Sequence, residues 1–187
     1  MRQAICELKS VSPYSQCKYH QTEKLEGELP VDYEKRTWRE KCNTIDGNVF
    51  IPPMAFANSL KEAAALLGIQ VPGKGQNKFT KHFESGVMVF GGLKLPILKS
   101  EVQGEWLFVP SDGKRGGGKR VNKCFPLIHE WKGKVVYRIM DDMITEDVFE
   151  KVIKASGQSI GIGRFRPKNW GYYGRFEVKK IEWVNVK

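Results

Sequence analysis

Two stretches of this chain carry complete helix signatures, and most of the remaining patterned sequence alternates like strand. The first, Leu60–Gly68 (LKEAAALLG), follows a capping pair, Asn58-Ser59, with strong helix formers and a terminal glycine. Its apolar positions Leu60, Ala63, Ala64 and Leu67 share one face. The second, Thr145–Gly157 (TEDVFEKVIKASG), opens on a threonine suited to the N-cap and two acids suited to the positive end of the helix dipole. Val148, Phe149, Val152 and Ile153 form its buried face, and Gly157 ends it.

Strand patterns surround these two helices. Ala4–Val11 alternates and stops at the Ser12-Pro13 turn. Gly86–Leu93, Glu101–Val109, Val121–Glu130 and Lys134–Met140 read as strands, as do Ser159–Gly163 and Arg175–Val184. The order is β-α-β-β-α-β, which predicts an α+β fold with a ferredoxin-like or RRM-like sheet and two helices on one face. At 187 residues a single domain, 1–187, is expected. It carries an insertion after the first strand, about 14–48, and an enlarged middle with a basic hairpin loop at about 110–120. Within the insertion, Asp32–Cys42 reads equally as a helical turn or as extended chain. Its acids alternate with Lys35, Arg36, Arg39 and Lys41 as a salt-bridged surface would, and a Trp38 exposed there would mark a partner contact. Val49–Pro53 reads as a short extended piece blocked by two prolines.

Several function classes drop out. No apolar run approaches the roughly 20 residues that span a bilayer, and MRQAICELKS has no apolar signal region, so a cytoplasmic protein with no membrane partner is expected. The four cysteines lack paired spacing and read as reduced thiols. Cys17 and His20 form a lone C-x-x-H without a second ligand pair, so no metal site is expected. Asp141-Asp142 lacks a third acid for Mg²⁺ and reads as a turn and cap before the second helix. No phosphate loop of the GxxxxGK[ST] kind occurs, and Gly161-x-Gly163 lacks the third glycine and following helix of a dinucleotide site, so no cofactor is expected.

The formal charge of +10 is concentrated rather than spread. Val71–His82 holds three cations, Gly113–Arg120 four and Gly161–Phe176 four, all without an acid, so the rest of the chain is close to neutral. Three glycine-rich cationic segments are the footprint of a polyanion binder. They nominate Lys74, Lys78 and Lys81, then Lys114, Arg115, Lys119 and Arg120 as phosphate contacts. The third segment, GIGRFRPKNWGYYGRF, interleaves rings as well. Its glycines would let the backbone approach phosphates, Arg164, Arg166, Lys168 and Arg175 would pair with them, and Trp170, Tyr172 and Tyr173 would stack on unpaired bases. Phe165 and Phe176 read as core. Tyr14–His20 (YSQCKYH) is the one place suited to catalysis. His20, with Lys18 and Tyr19, would serve metal-free RNA cleavage as a general acid or base, or would stack on the ligand, or would cap the insertion.

Two stretches resemble a known family. DGNVFIPPMAFANSLKEAA is similar to the entry into the first helix of the repeat-associated mysterious proteins, the superfamily of CRISPR effector-backbone and crRNA-processing subunits. Ile51, Pro52, Ser59, Leu60 and Lys61 match in kind, although residues are inserted between the proline and the serine. GIGRFRPKNWGYYGRF resembles the glycine-rich C-terminal region of the same superfamily. The chain also looks like small stand-alone relatives carried by phages and prophages. The resemblance implies a ferredoxin-like core that binds single-stranded RNA or DNA, with Lys61 added to the contacts and self-assembly into a filament along the strand as an option. Some crRNA-processing members use a histidine shortly after the first strand, a position His20 matches. The leading expectation is therefore a non-catalytic, largely sequence-independent single-strand binder. The alternatives are a metal-independent endoribonuclease using His20, and a CRISPR-subunit mimic acting through protein contacts.

Overall fold

The computed structural model describes residues 1–111, 113 and 118–185. In chain order the strands are β1 (Arg2–Ser10), β2 (Tyr14–Ser15), β3 (Thr44–Ile45), β4 (Asn48–Ile51) and β5 (Val87–Phe90). They continue with β6 (Leu93–Leu98), β7 (Gln103–Pro110), β8 (Arg120–Ile128), β9 (Lys132–Ile139) and β10 (Phe176–Asn185). The helices are α1 (Pro30–Thr37), α2 (Pro53–Leu67), α3 (Thr80–Gly86) and α4 (Glu146–Ala155).

The alternation of β1 does what its pattern predicts. Ala4, Cys6 and Leu8 are fully buried, and the intervening residues face away from the core. β1 pairs antiparallel with β10 on one side and β9 on the other, and β5 extends the sheet in the order β10-β1-β9-β5. α2 lies in sequence between β1 and β5, and α4 between β9 and β10. Phe56, Leu60, Ala63 and Ala64 of α2 and Phe149, Val152 and Ile153 of α4 enter one hydrophobic core with the sheet's inner face. The fold is thus α+β with antiparallel sheets.

The enlarged middle builds two further sheets. β6 joins β4 and β3, and β7–β8 form a long hairpin to which β2 pairs at the base. The expected strand Gly86–Leu93 divides into β5 and β6, with Gly91-Gly92 between them.

Three local expectations are corrected. α2 begins at Pro53, not at Asn58-Ser59. Pro52 is the extended N-cap, and Pro53 fits the first turn, where its missing N–H has no partner to lose. The expected short extended piece is β4, which stops at Ile51, and the prolines that end it also start the helix. α4 has Thr145 as its cap, accepting from the Val148 N–H at 3.3 Å, but Gly157 does not stop it. The chain widens into a π-helical turn, Ser156–Ile160, where a strand Ser159–Gly163 was expected. Fully buried Ser156 there meets the Ser59 hydroxyl at 3.1 Å, and the wider turn delivers it. Finally, Asp32–Cys42 falls in α1 and a 3₁₀ turn, Trp38–Lys41. Trp38 is only 7% exposed, with the Arg39 guanidinium on its face at 4.2 Å, so it is a packing residue and not a partner contact.

Among the described residues, no helix is long and apolar enough to cross a membrane.

Candidate nucleic-acid interface

The glycine-rich segment folds as a closed loop between the π turn and β10. The Ile162 N–H donates to the Gly174 carbonyl at 3.0 Å, Tyr173 N–H to Phe165 at 3.0 Å, and Gly171 N–H to Arg166 at 3.1 Å. The glycines serve this closure. Gly174 has φ +80°, and a Cβ there would lie 1.8 Å from the Ile162 carbonyl oxygen. The loop is fastened on two sides. Arg166 donates to Glu62 of α2 at 2.7 Å, and Lys168 lies 3.4 Å from the same carboxylate. On the other side Gly174 N–H donates to the Pro13 carbonyl at 2.7 Å, Arg175 N–H to the Ser12 hydroxyl at 3.0 Å, and Arg164 N–H to the Ser15 carbonyl at 2.8 Å.

The β7–β8 hairpin faces this loop. Its register places Glu105 opposite Phe125 and Leu107 opposite Lys123, so these four share one face. Loop and hairpin enclose a cleft of about 760 Å³, with Arg120, Lys123 and Arg164 among its cations. The volume falls in the range of ligand sites, about 300–1,000 Å³. Trp170, 91% exposed in a left-handed backbone conformation, and Tyr172, 63% exposed, also line it. Large rings left this bare lose hydrophobic stabilisation unless something covers them.

Arg164 is the unusual member. Its guanidinium carbon lies 3.4 Å from the centre of the Phe125 ring and 4.0 Å from that of Phe165. Both Nη atoms are buried and have no hydrogen-bond partner among the described residues. Burial pulls its pKa below the usual arginine value, and the Glu105 carboxylate partly counters this. An arginine remains charged under such a shift. The cleft thus stores a cation whose donors are unspent, beneath a Phe165 ring that is itself 42% exposed. An incoming phosphate would supply the missing acceptors. The Glu105 carboxylate, the acid in the cleft, is held by the Tyr173 hydroxyl. Burial first, and that hydrogen bond second, push the Tyr173 hydroxyl up to about 12.

The structure gathers part of the nominated set. Arg120, Arg164, Trp170, Tyr172 and Tyr173 line the cleft. Arg166 and Lys168 are spent on Glu62, and Arg175 points elsewhere, donating to the Gln158 carbonyl at 3.2 Å. Lys61 pairs with Glu84. Lys74, Lys78, Lys81 and Lys119 are exposed but outside the cleft lining, as are Lys18 and Tyr19. His20 lies in the insertion, hydrogen-bonded to Thr22 at 3.0 Å and stacked on Tyr33 at 6.4 Å. Lys114 and Arg115 lie outside the described residues. Phe176 is buried as expected, whereas Phe165 covers Arg164. Asp141 accepts from the Met143 N–H at 2.9 Å and pairs with His82 at 2.6 Å, as a turn residue would. Lys123, Phe125, Glu105 and Leu107 escaped the sequence reading. Strand alternation places them on one face, but nothing local says that the loop packs opposite that face.

The architecture is of a class seen in solved proteins. A chain of the cryo-EM structure of the Type III-B Cmr-beta bound to cognate target RNA matches with a TM-score of 0.52 at 12% identity. That match covers 98% of this chain and 60% of the other, so this chain spans less than two thirds of the longer one. The crystal structure of Cmr6 from Pyrococcus furiosus matches with a TM-score of 0.48 at 14% identity, covering 95% of this chain and 99% of that one. The first likeness is one of fold alone. No protein-family model matches the sequence. No curated protein matches it.

Proposed function

We propose that this protein binds single-stranded RNA, largely without regard to sequence and without cleaving it. The observation that carries the reading is the cleft, which sets Arg120, Lys123 and the unpartnered Arg164 against the exposed rings of Trp170 and Tyr172. Cations track a phosphate backbone, and rings stack on bases only where the bases are unpaired. The strand order β10-β1-β9-β5, with α2 and α4 on one face, supports reading the core as an elaborated ferredoxin-like fold. RNA ranks ahead of DNA because the similar Cmr-beta structure holds target RNA.

The test is fluorescence anisotropy with labelled single-stranded RNA, single-stranded DNA and duplex DNA across a salt titration, with the strand recovered afterwards. The expected result is single-strand binding that weakens steeply with salt, an intact strand, and a loss of about tenfold or more in the Arg120→Glu/Lys123→Glu variant. Absence of binding at low salt would sink the reading and direct attention to a protein partner. A cut strand in EDTA, lost in His20→Ala, would replace it with the nuclease. Assembly along the strand is a separate expectation, read as cooperativity in the same titration.

A further inference from the structure

A second cavity, about 550 Å³, lies between α1 and the hairpin. Tyr33 of α1 and Phe108 of β7 supply its rings, and Lys24, Arg120 and Lys123 its cations. Phe108 pairs with Asn122 across the hairpin, on the face opposite Leu107 and Lys123. The two cavities therefore lie on opposite faces of the hairpin. They share three lining residues, Ser111, Arg120 and Lys123, which gather toward the tip and the β8 side.

We infer that a single strand bound in the first cleft passes around the hairpin at Arg120 and Lys123 and continues into the second cavity, where Phe108 is the base platform. This rests on the proposed RNA-binding reading and extends it. Three observations favour a continuation of the same strand over another occupant. The shared cations leave no neutral gap between the cavities, as a phosphate backbone requires. The carboxylate lining the second cavity, Glu34, is already consumed by the buried Lys41 ammonium, so the charged side chains left in the described lining, Lys24, Arg120 and Lys123, are all cations. Phe108 is 59% exposed with the Arg120 guanidinium 5.5 Å from its ring, an apolar face beside a cation at a point where the strand would turn.

The test compares oligouridylates of about six and about fifteen nucleotides, a span that brackets single-strand site sizes. Binding is read by anisotropy on the unsubstituted protein and on Phe108→Ala/Lys24→Glu. Both substituted side chains are exposed, so circular dichroism and thermal melting should match the parent. The expected result is tighter binding of the longer RNA by the parent. The variant keeps the parent's affinity for the short RNA and loses about tenfold for the long one. A variant that retains the full length dependence overturns the path around the hairpin while leaving the first cleft intact. A parent that gains nothing from the longer RNA does the same. A parent that binds neither length overturns the RNA-binding reading itself, and this inference with it.

Discussion

The guanidinium of Arg164 lies over Phe125, 3.4 Å from the centre of a ring supplied by the opposite wall of the cleft. That contact joins loop to hairpin, and it leaves two donor nitrogens buried without acceptors. A side chain kept for stability alone would be better served by a thioether of similar length.

Arg164→Met is therefore expected to hold or raise the melting temperature while lowering single-stranded RNA affinity by about tenfold. Thermal unfolding and anisotropy on the same preparation check both halves. A melting temperature that falls together with affinity would make Arg164 a structural residue.

The Glu34–Lys41 pair should behave in the opposite way. The two side chains are 11% and 9% exposed, Glu34 also accepts from the Cys124 N–H at 2.8 Å, and Lys41 donates to the Cys124 carbonyl at 2.9 Å. Together they clamp α1 and its following turn to β8. Lys41→Met strands a buried carboxylate and should cost about 3 kcal/mol in urea denaturation. Lys61→Met, which breaks the exposed pair with Glu84, should change stability by less than about 0.5 kcal/mol.

Gly174→Ala should disrupt the loop. The substitution meets both an unfavourable φ of +80° and the Ile162 carbonyl at 1.8 Å, so it should cost at least about 2 kcal/mol and remove RNA binding. Urea denaturation and anisotropy read the two effects. An unchanged affinity would show that the closed loop is not the wall that binds.

Tyr173 gives a pH signature. Its hydroxyl is held up to about 12 in the folded protein, against an ordinary value near 10. The folded state thus keeps a proton that the unfolded state releases. The stabilisation is full below about pH 10 and is lost as pH rises toward 12. Tyr173→Phe should flatten the fall in unfolding free energy over that window relative to the parent. Equal slopes in denaturant titrations across the window would remove the Glu105–Tyr173 pair from the account.

The sequence carried the frame and part of the candidate cleft. α4 was legible because Thr145 and the apolar spacing of Phe149, Val152 and Ile153 are local signals that agree. α1 was not, because its charged residues satisfy a helix and a solvated loop equally well. The π turn rests on Ser156 meeting Ser59, 97 positions earlier, a match that no periodicity records. The same distance effect hid the fate of Arg166, whose partner Glu62 lies 104 positions away. A run of cations announces a polyanion surface, but which of them are spent on the protein's own carboxylates is a tertiary fact. The rings of Trp170 and Tyr172 stand exposed, as a segment that interleaves rings with cations and glycines suggested.

The loop's attachment to the end of β1 fixes when the candidate cleft can form. The Ser12 hydroxyl and the Arg175 N–H that meet there are 163 positions apart, and β1 has β9 and β10 as its sheet neighbours. A nascent chain emerging from the ribosome holds one side of the seam without the other until those intervening positions have been made. Its basic hairpin is made before the wall that turns it into a cleft. The candidate cleft therefore closes only after residues 161–176 have been made, long after the first side of the seam.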